Sequence, residues 1–120
     1  MNKLVTILLA VSISLGLAYC KAEARDQQES KMENVKQMIE KGAMVVDVRS
    51  PMEYNMGHYP GAVNIPITEL QKRVDELGSK DKSIVVYCAS GSRSETARNF
   101  LKSLGYNQVV NAGGLSQMPR

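Results

Sequence analysis

The 120-residue sequence predicts an α/β domain with a mostly parallel central sheet flanked by helices. Short apolar runs rich in β-branched residues alternate with segments whose apolar residues recur at helical spacing. The length fits one domain of ordinary size. Hydrophobic residues make up 43% of the chain and charged residues 22%, which is typical of a globular protein and argues against disorder.

The first 24 residues are predicted to be a secretory signal peptide. The run 4–19 carries no charge and is short for a membrane-spanning helix, which needs roughly 20 apolar residues. Small residues at Ala22 and Ala24 are typical of a cleavage site, and cleavage there would leave a domain of residues 25–120. We therefore expect an exported, periplasmic protein without a membrane span after cleavage.

Two alternatives remain for this segment. One is an uncleaved membrane anchor. The other is a bacterial lipoprotein, because residues 17–20 resemble a lipoprotein box in which Cys20 would be lipidated. Tyr19 is bulky where that box prefers a small residue, so ordinary cleavage is favoured.

The first half of the domain contains one clear strand and several short elements. Residues 25–30 are polar and are expected to form a loose leader before a helix over 32–39. The run 43–48 is predicted to be a buried strand, because apolar residues follow one another without alternation. The other expected elements are a short helix from the capping box Ser50–Glu53 to Gly57, a turn at 59–61, a strand at 62–65 and a helix at 68–77.

The second half is organised around the strongest strand signal, Ile84–Tyr87, with Cys88 at its carboxyl end. A loop of small residues follows at 89–92, and a helix is predicted at 94–104. The remaining predictions are a short strand at 108–111 and a turn at 112–114.

Cys88 is the centre of the predicted site. Ligands of parallel sheets bind beyond the carboxyl ends of the strands. A curled loop of small residues and a helix N-terminus would lower the pKa of the thiol, and Arg93 would add a fixed positive charge for an anionic substrate. These features predict a nucleophile in an anion-binding cradle. The alternative is that Cys88 is only a small buried hydrophobic residue.

Composition excludes several other kinds of site. Two cysteines are too few for a disulfide scaffold or a four-cysteine zinc site, and the chain has one histidine, so no metal is expected. Its 15 basic and 12 acidic residues nearly balance, and no long basic run suggests a nucleic-acid partner.

Several motifs, in the same order along the chain, resemble those of the rhodanese family. The segments are Asp47–Ser50, Glu53-Tyr54, Gly57-His58, Gly61–Pro66, Cys88–Ser94, Gly105-Tyr106 and Asn111–Leu115. Together with the predicted export signal, the likeness is greatest to small periplasmic thiosulfate sulfurtransferases of the phage-shock type.

The resemblance implies a two-step transfer. The Cys88 thiolate would take the outer sulfur of thiosulfate or a similar donor, and a thiophilic acceptor such as cyanide, a thiol or a protein thiol would then remove it. No cofactor is implied. The residues expected to bind the substrate and the persulfide are Ala89, Ser90, Gly91, Ser92, Arg93 and Ser94. Asp47 and Arg49 are expected to support the site structurally, and His58 to hydrogen-bond within its own turn.

Three other functions are open at this point. The protein could be a persulfide carrier or redox partner that receives sulfur from another protein, or a non-enzymatic binding module that keeps the fold. It could also be a phosphatase. Related phosphatases have five residues between cysteine and arginine, whereas four separate Cys88 from Arg93 here, which disfavours that function.

Overall fold

The computed structural model describes residues 2–120, with side chains from residue 15 onward. It divides into two units, residues 1–31 and residues 32–120. The first unit is helical, and its described side chains are exposed to solvent. The predicted signal peptide falls on this unit, and the side chains of its first 14 residues lie outside the described part. Within the described residues, no helix combines the length and apolar character needed to cross a membrane.

Helix α1 spans Asn2–Glu40, so the prediction of a loose leader at residues 25–30 is wrong. Neither Gly nor Pro occurs between Gly16 and Gly42, and residues such as Ala, Arg, Gln and Glu in this stretch favour helix. Gly42 ends the helical region with a positive φ of 95°. Val35, which lies in the part of α1 that belongs to the second unit, is buried.

Four parallel strands form the sheet of the second unit. They are β1 (Met44–Asp47), β2 (Val63–Asn64), β3 (Ile84–Cys88) and β4 (Val109–Gly114), in the spatial order β2-β1-β3-β4. The predicted α/β class and parallel sheet are therefore confirmed. All five residues of β3 are buried, because apolar clusters cover both faces of the sheet.

Helix α2 (Pro51–Asn55) begins as the sequence predicts. The Glu53 backbone N–H donates to the Ser50 hydroxyl oxygen at 3.2 Å, and the Ser50 N–H donates to the Glu53 carboxylate at 3.3 Å. This reciprocal capping box fixes the start of the helix and also holds the Glu53 side chain in place.

The helix predicted at residues 68–77 is replaced by two short 3₁₀ helices, Leu70–Lys72 and Val74–Leu77. The chain departs from helical geometry at Arg73, where φ is −114° and ψ is 14°. The expected apolar face is nevertheless present, because Leu70 and Leu77 are both buried against the sheet. The tighter i to i+3 turns allow both leucines to reach the core.

Helix α3 (Ser92–Ser103) starts two residues before the predicted position, directly after Gly91, whose φ is 100°. Strand β4 is longer than predicted, and the turn expected at residues 112–114 is wrong. Asn111 pairs with Val86 and Gly113 pairs with Tyr87, so one extra residue forms a β-bulge. Gly113 adopts a φ of 92°, which permits the bulge and lets pairing continue beside Cys88. A last 3₁₀ helix spans Leu115–Gln117.

Candidate active site

Cys88 lies where the sequence predicts it, at the carboxyl end of β3, with its side chain fully buried. We call residues 88–94 the Cys88 loop. Gly91 turns the chain so that its backbone N–H donates to the Cys88 Sγ atom at 3.0 Å, and the Ser94 hydroxyl lies 3.3 Å from the same sulfur. The sulfur therefore occupies a cradle of donors at the N-terminus of α3.

The cradle stabilises the thiolate form of Cys88. Burial by itself raises the pKa of this thiol, but hydrogen bonds from the Ser94 hydroxyl and from the backbone N–H groups of Ser94, Gly91 and Ser90 outweigh it. The net effect lowers the pKa of Cys88 to about 7. About half of the molecules would thus hold a thiolate at neutral pH, which is the reactive form of cysteine.

Arg93, which is expected to offer a positive charge to an anionic substrate, is paired with a carboxylate in the structure. Its two terminal nitrogens donate to the two carboxylate oxygens of Glu53, at 2.8 and 2.9 Å. Because α2 brings Glu53 to the loop, a bidentate ion pair forms and engages both terminal nitrogens of the guanidinium. This hydrogen bonding holds the pKa of Glu53 at about 2, so the carboxylate is ionised at neutral pH.

Ser94 is held by a residue of the neighbouring strand. Its hydroxyl lies 2.7 Å from the Asn111 Oδ1 atom, and the Gly113 N–H donates to the same oxygen at 2.9 Å. The Asn111 Nδ2 group donates to the Gly91 carbonyl at 3.0 Å and to the Glu95 carboxylate at 2.9 Å. Asn111 therefore ties the Cys88 loop to β4 and orients the hydroxyl beside the sulfur.

The remaining residues of the Cys88 loop contact one another and strand β4. The hydroxyl oxygens of Ser90 and Ser92 are 3.4 Å apart and exposed. The Ala89 carbonyl packs so closely against Gly114 that a side chain at residue 114 would overlap its oxygen. The path of the loop thus depends on a glycine at that place.

Asp47 and Arg49 form a buried pair beside the site. The Arg49 Nη2 atom donates to the Asp47 carboxylate at 2.7 Å, and the Tyr87 hydroxyl donates to the same carboxylate at 2.7 Å. Burial is the main reason that the pKa of Tyr87 is raised to about 12, so the hydroxyl remains a donor. The pair also reaches the Gly57 carbonyl through Arg49, at 2.8 Å. These contacts join the end of β1, the residue before Cys88 and the loop after α2.

His58 is engaged away from the sulfur. Its Nδ1 atom donates to the Tyr54 carbonyl at 2.9 Å, and its ring stacks on the Tyr54 ring with the centroids 3.7 Å apart. Among the described residues, no group of His, Cys, Asp and Glu side chains could hold a metal ion.

Three contributors to the site were not predicted from sequence as site residues. The sequence places Glu53 in the capping box and in a family motif, Asn111 at the end of a predicted strand and in a family motif, and Tyr87 in the strand Ile84–Tyr87. The Ser94 hydroxyl was also not anticipated as a donor to the sulfur. Glu53 and Arg93 are far apart in the chain, so no local spacing indicates their pairing.

The fold and the site together define a class of parallel α/β domain with a buried cysteine of lowered pKa at the N-terminus of a helix. Residues 31–118 match the rhodanese-like domain family. The chain belongs to this family of rhodanese-like sulfurtransferases, which confirms the resemblance drawn from the motifs.

Individual relatives agree with this assignment. The chain is similar to the thiosulfate sulfurtransferase PspE of Escherichia coli, with 39% identity over 74 residues, which cover 61% of this chain and 71% of PspE. It is also similar to a sulfurtransferase of Allochromatium vinosum, with 38% identity over 71 residues, covering 59% of this chain and 65% of that protein. The chain thus spans most of the first relative and just under two thirds of the second.

A solved structure shows the same fold. The structure of a rhodanese with anions from E. coli has 38% sequence identity and a TM-score of 0.61. The alignment covers 65% of this chain and 95% of that one.

Proposed function

We propose that this protein is a thiosulfate sulfurtransferase that moves sulfane sulfur from thiosulfate, or a similar donor, to a thiophilic acceptor through a Cys88 persulfide. The observation that supports the proposal best is the fully buried Cys88 sulfur in a cradle of N–H and O–H donors, with its pKa at about 7. A relative with 39% identity is a thiosulfate sulfurtransferase.

In the first step, the electron pair of the Cys88 thiolate attacks the outer sulfur of thiosulfate. A new sulfur–sulfur bond forms while the bond within thiosulfate breaks, and sulfite leaves with that bond's electron pair. The product is a Cys88 persulfide whose negative charge resides on its outer sulfur. The N–H groups that stabilise the thiolate are positioned to stabilise this anion as well.

In the second step, an acceptor thiolate or cyanide attacks the outer sulfur of the persulfide. The sulfur–sulfur bond breaks, its electron pair returns to the Cys88 sulfur, and the acceptor leaves as a persulfide or as thiocyanate. Neither step consumes an external oxidant or reductant. The Cys88 thiolate is regenerated for the next turnover.

Mass spectrometry of the intact protein after treatment with thiosulfate tests the first step. We expect a gain of one sulfur atom that is lost in Cys88→Ser. The matched control is Cys20→Ser, which removes the other cysteine and should retain the gain. A full-length protein that gains no sulfur would contradict the proposal.

Turnover separates the enzyme from the alternative of a persulfide carrier. A sulfurtransferase forms thiocyanate continuously from thiosulfate and cyanide, whereas a carrier is loaded once and turns over little. A phosphate-monoester assay on the same preparation tests the phosphatase alternative, and we expect no phosphate release that depends on Cys88.

Export to the periplasm remains part of the proposal. It is supported by the uncharged run 4–19 and the small residues before residue 25. Cell fractionation and N-terminal sequencing of the exported protein test it. We expect a periplasmic protein that begins at Arg25, and a product retained in the cytoplasm would contradict this localisation.

A further inference from the structure

The ion pair between Glu53 and Arg93 bears on which sulfur donors the Cys88 loop accepts. Arg93 is the basic residue in the loop's sequence, yet both of its terminal nitrogens are bonded to Glu53, at 2.8 and 2.9 Å. The two side chains are 36% and 35% exposed, which places the pair at the edge of the domain rather than in its core. An incoming anion therefore meets Arg93 together with a carboxylate.

Glu53 is rigidly placed for this pairing. Its carboxylate also accepts hydrogen bonds from the Ser50 N–H at 3.3 Å and from the Ser50 hydroxyl at 3.1 Å, so the N-terminus of α2 holds it. Its pKa of about 2 keeps it charged throughout the neutral range. The pairing with Arg93 is thus a constant property of the loop at neutral pH.

The charge of the pair sums to zero, so attraction for anions comes mainly from the N–H groups and the N-terminus of α3. A helix N-terminus supplies only about half an elementary charge. A monoanion is well matched to this environment. A dianion gains less from its second charge, because the Glu53 carboxylate opposes the attraction of Arg93.

We propose that Glu53 is a specificity-determining residue, which holds Arg93 in an ion pair and thereby lowers the preference of the site for a dianionic sulfur donor over a monoanionic one. The inference rests on the sulfurtransferase function proposed above. It names the charge of the donor as the property that this carboxylate controls.

Two donors that differ by one charge allow a direct test. Thiosulfate is a dianion and loses sulfite, whereas methanethiosulfonate is a monoanion and loses methanesulfinate. In both, the Cys88 thiolate attacks the outer sulfur, and the departing group takes the electron pair of the broken sulfur–sulfur bond. The ratio of kcat/KM for thiosulfate to kcat/KM for methanethiosulfonate therefore reports on charge selectivity.

The test variant is Glu53→Gln. Glutamine removes the charge but can still accept the hydrogen bonds of a capping box, so the start of α2 is kept. We expect the ratio to rise by about threefold or more, because an unpaired Arg93 attracts the second charge of thiosulfate. A change in folding or in loop shape alone would lower both constants without favouring the dianion.

The matched control is Glu69→Gln. Glu69 and Arg93 both line an open pocket of about 280 Å³, but the Glu69 carboxylate pairs with Arg73, at 3.0 Å. Glu69→Gln removes one negative charge from the lining of this pocket and leaves the ion pair between Glu53 and Arg93 intact. We expect the ratio to change by less than about twofold.

The result that overturns the inference is an unchanged ratio in folded Glu53→Gln, with sulfur loading of the wild type intact. If the wild type forms no persulfide with either donor, the proposed function itself fails, and the two failures are thus distinguishable.

A measurement on the wild type covers the case in which Glu53→Gln does not fold. We expect a tenfold increase in ionic strength to reduce the ratio by no more than about twofold, because the paired site has little net charge to screen. A larger reduction would show an unpaired cation at the site and would contradict the inference.

Discussion

Replacement of Ser94 by Ala tests how the Cys88 thiolate is stabilised. The Ser94 hydroxyl lies 3.3 Å from the sulfur, and among the groups that lower the pKa of Cys88 its hydrogen bond has the largest effect. A hydrogen bond to a charged group contributes about 1.5 kcal/mol or more. This hydroxyl has one proton, however, which the Asn111 Oδ1 atom at 2.7 Å and the Gly91 carbonyl at 3.1 Å also attract. We therefore use the value of about 1.5 kcal/mol, which corresponds to about one pKa unit. The pKa of Cys88 should then rise from about 7 to about 8 in Ser94→Ala.

The rate of alkylation by iodoacetamide as a function of pH measures this pKa. At pH 7 the thiolate fraction would fall from about one half to about one tenth, so the rate should drop by about two- to fivefold once the greater nucleophilicity of a more basic thiolate is included. Well above pH 9 the variant should react at least as fast as the wild type. The rate at pH 7 falls because the thiolate is the reactive form and the substitution reduces its fraction.

Ser92→Ala is the matched control, because this hydroxyl belongs to the same loop and contacts the Ser90 hydroxyl, at 3.4 Å. Its alkylation profile should match that of the wild type. A thermal unfolding curve for each variant shows whether the fold is kept. If folded Ser94→Ala retained the wild-type pH midpoint of alkylation, the Ser94 hydroxyl would not stabilise the thiolate and the reasoning would be refuted.

Three further predictions concern stability and loop geometry. Asp47→Asn leaves the buried Arg49 without its carboxylate and should lower the free energy of unfolding in urea by about 3 kcal/mol; Glu69→Gln, which breaks only an exposed pair, should change it by less than about 1 kcal/mol. Equal small losses in both would contradict the structural role of Asp47. Because the pKa of Cys88 is lower in the folded than in the unfolded chain, the wild type should gain about 2 kcal/mol of stability relative to Cys88→Ser as the pH rises from about 7 to about 9. A difference that does not vary with pH would show that folding leaves this pKa unchanged. Gly114→Ala places a methyl group against the Ala89 carbonyl and should slow persulfide loading by about tenfold or more, whereas normal loading would mean that the loop can move aside freely.

The strands β1 and β3 and the start of α2 could be predicted because their signals are local. The run 43–48 and the segment Ile84–Tyr87 lack alternation, which indicates strands buried on both faces, and β1 and β3 form there. The capping box at Ser50 similarly marks the start of α2 within one turn. Each of these signals lies within a few neighbouring residues.

The errors arise where tertiary contacts override local signals. Glycines at residues 113 and 114 indicate a turn, yet β4 continues through them because its bulge keeps them paired with β3. Residues 68–77 have the apolar spacing of a helix, but two 3₁₀ helices form there instead and bury both Leu70 and Leu77. No pattern within either segment distinguishes these outcomes.

The site shows the same difference between local signals and tertiary contacts. The placement of Cys88 beyond a strand and before a helix follows from the order of residues in one short segment, and the structure places it there. The partners Glu53 and Asn111 come from α2 and β4, and only the spatial order of the strands brings them to the loop. Their pairing could not be derived from one sequence.

The dependence of the Cys88 loop on distant partners limits how far it can be transplanted. Asn111 fixes the loop from one side, and Glu53 from the other. Grafting residues 88–94 alone into another parallel-sheet scaffold would transfer the nucleophile and the backbone donors but leave Arg93 without its carboxylate and Ser94 without its amide. The unit that an engineer would have to move is the loop together with the first helix after β1 and the bulged end of β4.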